Sequence, residues 1–198
     1  GNVLIGRSAG ENMTTGDYNI AIGYQALDGH VGAGDNNIAI GKNALGGTTG
    51  SCSSNIAIGT DALLVQDTAA NINLAIGREA GTAITSGTAN VLIGHEAGSA
   101  LVDDNYNTAV GYNALKTVQS NDNTAVGYLA AKTVNTGSGN TAVGAYVMAN
   151  AQGDEDYNTA FGRAALYALN SDTANSNVAV GYNAGRFTTA GGAGAPVT

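Results

Sequence analysis

The chain has 198 residues, 30 of them Gly, with one Pro, no Trp and only 11% charged residues, and its 43% hydrophobic content draws heavily on Ala. So few large side chains exclude an ordinary globule. Regular backbone hydrogen bonding and small, closely stacked side chains must offset roughly 1–2 kcal/mol of chain entropy per ordered residue. The net charge of −8 excludes a phosphate-neutralising nucleic-acid surface and attraction to anionic membranes, and no apolar run reaches the ~20 residues of a membrane-spanning helix.

The first element begins at once: Asn2-Val3-Leu4-Ile5-Gly6. The same pattern returns along the chain as Asn19 with Gly23, Asn37 with Gly41, Asn55 with Gly59, Asn73 with Gly77, Asn90 with Gly94, Asn107 with Gly111, Asn123 with Gly127, Asn140 with Gly144, Asn158 with Gly162 and Asn177 with Gly181. Successive Asn residues are 16 to 19 positions apart, and Ala stands seven after the Asn in every unit but the ninth, which has Val147. Between Asn and Gly, triplets such as Ile20-Ala21-Ile22 and Thr124-Ala125-Val126 alternate large and small side chains, the two-residue period of a short strand. Asn and Gly are the turn residues that bound it. The stretches between units, such as 28–36, 46–54 and 132–139, are rich in Gly, Ser, Thr and Asp and read as surface loops.

A three-residue strand every 17 or 18 positions is too short for a helical-hairpin repeat. The pattern predicts an all-β, parallel β-solenoid of about eleven coils over residues 1–189, each with two short strands and turns, followed by a flexible Gly/Ala-rich exit at 190–198. Stacked at about 4.8 Å, the coils make a rod about 50 Å long. The Asn and Gly columns form its structural ladder, with each Asn amide satisfying the one above. Cys52, the single cysteine, excludes an internal disulfide and reads as a small loop residue.

The strand triplets are apolar on both faces: branched at the first and third positions, Ala in the middle except at Leu4 and Leu92. A coil interior covers one face only, so the other calls for a partner. The Ala column suits close approach of another backbone, and the expectation is a parallel homotrimer, with a dimer as the lesser option. The motif starts without a polar cap, so either the natural protein continues past this segment or copies abut end to end.

Asn107-Thr-Ala-Val-Gly-Tyr-Asn-Ala-Leu115 resembles the repeats of phage tail-fibre proteins, and the Ile/Val-Ala-Ile/Val-Gly core is similar to the head repeats of YadA-type trimeric autotransporter adhesins, whose repeats are shorter. The resemblance runs through all eleven units. It implies a left-handed, homotrimeric roll that acts in attachment, on a virion or at a cell surface.

Candidate chemistry is sparse. Tyr24, Tyr112, Tyr128 and Tyr182 directly follow the repeat Gly, and Tyr18, Tyr106 and Tyr157 directly precede the repeat Asn. These columns either fill corners and grooves or present ring faces to sugars. Asp103, Asp104, Asp154 and Asp156 are candidate calcium ligands in oxygen-rich loops. His30 and His95 lack a second ligand at metal spacing. No nucleophile elbow or phosphate loop is present, and no cofactor or enzymatic activity is expected. The leading reading is a structural segment of an extracellular or virion attachment fibre, with receptor or glycan contacts on its loops. The alternatives are a bacterial surface adhesin, an end-to-end filament subunit, or an ice-binding solenoid using the Thr column at 108, 124, 141 and 159.

Overall fold

The computed structural model describes residues 1–29, 32, 34–47, 50–66, 71–151, 153–169 and 175–188; His30 and the expected exit segment 190–198 lie outside them. Each branched–small–branched triplet is a three-residue strand. In chain order these are β1 (Val3–Ile5), β2 (Ile20–Ile22), β3 (Ile38–Ile40), β4 (Ile56–Ile58), β5 (Leu74–Ile76), β6 (Val91–Ile93), β7 (Thr108–Val110), β8 (Thr124–Val126), β9 (Thr141–Val143) and β10 (Thr159–Phe161). Two-residue β11 (Ala168–Leu169) follows, then β12 (Val178–Val180) and two-residue β13 (Phe187–Thr188). Strands β1 to β10 and β12 form one parallel sheet in sequence order, and β11 pairs with β13. No described residue is helical.

Pairing has no offset. Ala21 faces Ala39, which faces Ala57, which faces Ala75. The variable stretches therefore absorb every difference in coil length. The number of turns is lower than the eleven expected from the repeats. The solenoid has about nine turns, and β1 and β12, the two end strands of its long sheet, are paired on one edge only.

A second correction concerns the far side of each coil. Two strands per coil were expected; among the described residues only β11 and β13 occupy that side as strand, and elsewhere the described residues there form a ladder of turns. Residues six and eight after each Asn have left-handed backbone even when they are not Gly, as at Gln25 (φ 53), Leu27 (φ 57), Asn43 (φ 53) and Leu45 (φ 51). That conformation costs an L-residue roughly 1–2 kcal/mol. Hydrogen bonds along the axis offset the cost: Gln25 N–H donates to the Arg7 carbonyl of the coil before (3.0 Å), and Leu27 N–H to the Ala44 carbonyl of the coil after (2.9 Å). The turn side is thus bonded in both directions without being extended.

The small middle residue points inward. Ala21, Ala39, Ala57, Ala75, Ala109 and Ala125 are fully buried, packed against Ala26, Leu27 and their equivalents in the other coils. The Ala column therefore fills the coil interior and is not a seam between chains. The branched residues on either side of it face outward. Gly59 shows why the Gly column tolerates nothing larger: its φ is 136°, and a Cβ there would lie 2.5 Å from the Gly77 carbonyl oxygen.

The Asn column forms the ladder the repeat predicts. In all ten steps from Asn2 to Asn177, the backbone N–H of one Asn donates to the Oδ1 of the Asn in the preceding coil, at 2.8–3.0 Å. The Nδ2 groups bond to both neighbouring coils. Asn90 Nδ2 donates to Asn73 Oδ1 (3.0 Å) and to the Asp104 carbonyl of the next coil (2.9 Å). Asn19, Asn37, Asn55, Asn90, Asn107 and Asn158 are fully buried, where an unpaired amide would be expensive.

Candidate functional site

The register of the coils brings residues far apart in sequence into three exposed columns. The first lies at the corner that follows the Gly. There Arg7, Tyr24, Lys42, Arg78, His95, Tyr112, Tyr128, Arg163 and Tyr182 all stand five after their Asn. His95 stacks on Tyr112 (centroids 5.1 Å apart, planes 11° apart), and Tyr112 on Tyr128 (5.5 Å, 19°). Tyr146, one position further round the corner, meets Tyr128 edge-on at 5.3 Å. Arg7 lies over Tyr24 at 5.6 Å, and Arg163 lies over both Tyr146 (5.6 Å) and Tyr182 (5.7 Å). Neighbouring tyrosines raise the Tyr128 phenol above its ordinary value, Tyr146 having the largest effect.

The second column lies four residues further round, at nine after the Asn, and holds Lys116, Lys132, Tyr167 and Arg186. The two columns together contain all seven Lys and Arg residues of the chain. Sequence inspection finds the tyrosines alone; counting each residue from its own Asn would also have found the cations. Acids six after the Asn, Asp61, Glu79 and Glu96, neutralise the middle of this surface. Arg78 pairs with Glu79 and Lys116 with Glu96, and Lys116 holds the Glu96 carboxyl below its ordinary value.

The third column stands two before the Asn and carries a ladder that the repeat motif does not announce. Here the side chain of the later coil accepts from the backbone of the earlier one. Asp35 Oδ1 accepts from Asp17 N (2.7 Å), Asn71 Oδ1 from Ser53 N (2.6 Å), Asn105 Oδ1 from Thr88 N (2.8 Å), and Asp156 Oδ1 from Ser138 N (2.7 Å). Its polarity is opposite to that of the buried Asn ladder.

This arrangement settles where the calcium candidates sit. Asp156 accepts from Ser138, Asp154 from Thr136 Oγ1, and Asp104 Oδ2 from Val102 N (3.1 Å). Asp104 is nearly buried, and desolvation raises its carboxyl above the ordinary range, with Asp103 adding repulsion. Three of the four carboxylates tie coils or their own turns together, Asp103 taking part through its backbone carbonyl, which accepts from Asn105 Nδ2 (3.1 Å), and no cluster of three metal-ligating side chains occurs among the described residues. Cys52, expected in a surface loop, is fully buried beneath the ladder, and its carbonyl accepts from Asn37 Nδ2 (2.9 Å).

Of the glycan candidates, Tyr112 and Tyr128 belong to one stack, Tyr182 lies against Arg163, and Tyr24 stands apart with Arg7. Tyr18, Tyr106 and Tyr157 lie on another corner, with left-handed backbone and rings about two-thirds exposed.

The outward face of the long sheet is the remaining surface. Ile20 and Ile22, Ile38 and Ile40, Ile56 and Ile58 form its first half. In its second half Thr108, Thr124, Thr141 and Thr159 stack in register beside Val110, Val126, Val143 and Phe161. No protein-family model, no curated protein and no solved structure matches the chain.

Proposed function

We propose that the chain is a structural segment of an extracellular or virion attachment fibre, a left-handed roll that works as a parallel homotrimer. The observation that carries this reading is the outward face of the eleven-stranded sheet, which presents two continuous columns of Ile, Leu, Val and Thr, with one Phe at 161. A parallel sheet with apolar residues on both faces is normally covered on both. The coil interior covers the Ala side, and two further copies would cover the other. A contiguous apolar stripe of this length is uncommon on a monomer's surface. The mechanism is mechanical: ladders along the axis stiffen the rod, and corners and loops carry the contacts.

Light scattering with mass determination tests it. The expected mass is three times the 19.5 kDa of the chain; a mass of one chain at micromolar concentration overturns the reading.

A further inference from the structure

The outward face of the long sheet lies between two corners of opposite charge. The corner before each strand is formed by the two residues ahead of its Asn, and the corner after it by the residue five past the Asn. Before the strands stand Asp17, Asp35, Asp122 and Asp156, and no Lys, Arg or His occupies either position in any repeat. After the strands stand Arg7, Lys42, Arg78, His95 and Arg163, and no acid. The acids one step further on, Asp61, Glu79 and Glu96, are met within the chain by Asn43, Arg78 and Lys116. Both corners also carry exposed rings: Tyr18 and Tyr106 ahead of the strands, Tyr24 and Tyr112 after them.

Several levels of the rod match across the face. Asp35 and Lys42 bracket β3, and Asp156 and Arg163 bracket β10. Tyr18 and Tyr24 bracket β2, and Tyr106 and Tyr112 bracket β7. Small residues coincide too, Ser54 with Thr60 around β4 and Gly139 with Ala145 around β9. Two levels depart: β6 and β12 each set a small residue, Ala89 or Ser176, against a ring. We infer that these corners are the seam between copies of the chain, the acidic corner of one packing on the cationic corner of the next, in parallel and at the same level. Symmetry supplies the argument. Rotation about an axis along the rod brings unlike corners together without any shift along the rod, so each level meets its own. A two-fold axis across the rod brings acid to acid and cation to cation, which opposes assembly. Asp35 and Asp156 each accept from a backbone N–H of their own chain, and an ionised carboxylate keeps acceptor capacity for a second donor.

The inference rests on the reading that further copies cover the sheet, and adds which edges meet and in which direction. The test is cross-linking of the full chain with a short bismaleimide, read on a denaturing gel. One chain carries Ser54→Cys and another Thr60→Cys; the parent, whose Cys52 is fully buried, is the blank. The expected result is interchain links in a co-refolded mixture of the two variants, and none in either variant alone. Lys42→Glu weakens assembly about tenfold at low salt, through one pair lost at every seam, and less at high salt. Lys132→Glu makes the same charge change away from these corners and leaves assembly unchanged. Links within either variant alone, no link in the mixture, or equal effects of the two Lys substitutions each overturn the seam. A trimer that fails in this way refutes the seam alone, and a single-chain mass refutes seam and trimer together. A dimer that links 54 to 60 keeps the seam and refutes the trimer. The Lys42→Glu comparison is decisive by itself if a Cys variant does not assemble.

Discussion

The side chain of Leu92 occupies the space that Gly98 leaves open. A Cβ on Gly98 would lie 2.6 Å from Leu92 Cδ2. The same exchange occurs between Gly10 and Leu4, where the distance would be 2.9 Å. Leu4 and Leu92 are the two departures from Ala in the middle of the strand, and both fall in repeats where Gly replaces the interior Leu that stands eight after the Asn. The volume of the coil interior is kept while the residue supplying it moves from one wall to the other.

Leu92→Ala is therefore expected to cost about 2–5 kcal/mol in urea unfolding, the usual range for truncating a fully buried Leu. Adding Gly98→Leu to that variant should recover a large part of the loss, because Leu27 and Leu45 already tolerate the same backbone (φ 57 and 51) and Gly98 has φ 58. Gly98→Leu alone should destabilise through overlap. A double variant no more stable than Leu92→Ala would refute the exchange.

The Gly column separates strain from overlap. Gly181→Ala is expected to introduce strain alone, about 1–3 kcal/mol, since among the described residues the nearest atom to its new Cβ is Ala184 Cβ at 4.0 Å. Gly59→Ala adds the collision with the Gly77 carbonyl and should cost clearly more, read as a larger fall in melting temperature. Equal losses would mean that backbone conformation alone selects Gly here.

Removing one rung of the buried ladder strands several groups together. Asn90→Ala leaves the Asn107 N–H without its acceptor and the Asp104 carbonyl without its donor, and takes one donor from Asn73 Oδ1. At roughly 1–3 kcal/mol for each buried group left unmade, the expected loss is about 3 kcal/mol or more. Asn2→Ala, at the exposed end, should cost about 1 kcal/mol or less. Hydrogen exchange should show faster exchange at Asn107 in the Asn90 variant.

Asp104 makes a pH-dependent prediction. Burial raises its folded-state carboxyl above the unfolded value, so between those two values the folded chain binds more proton than the unfolded chain. Stability attributable to Asp104 is then present at acid pH and lost as pH rises through the folded value. Asp104→Asn should be more stable than the parent at neutral pH, with the gap closing as pH falls below that value. Asp28, whose carboxyl is also raised by burial, and Glu96, lowered by Lys116, are common to both chains and cancel in the comparison. A gap that does not change with pH would assign the effect to packing.

How much of this was legible beforehand follows from how each feature is encoded. Gly23, Gly41 and Gly59 stack because only Gly fits, so residue identity and fixed spacing revealed the register and the Asn ladder. The left-handed backbone at Leu27, Leu45 and Leu63 left no trace, because Leu carries no preference for it and the coil imposes it. That is why a second strand was expected where turns stand. The ladder through Asp35, Asn71, Asn105 and Asp156 was hidden for another reason: any short side chain with an acceptor oxygen serves, so no single residue type repeats.

Each ladder bond described above joins a coil to its immediate neighbour. Excising or duplicating one complete repeat, Asn107 to Asp122 for instance, would leave every other junction with the chemistry it has now. Overall extent is then an editable quantity, changing in increments of about 4.8 Å. Recombination between near-identical units would tune reach without requiring any new packing solution.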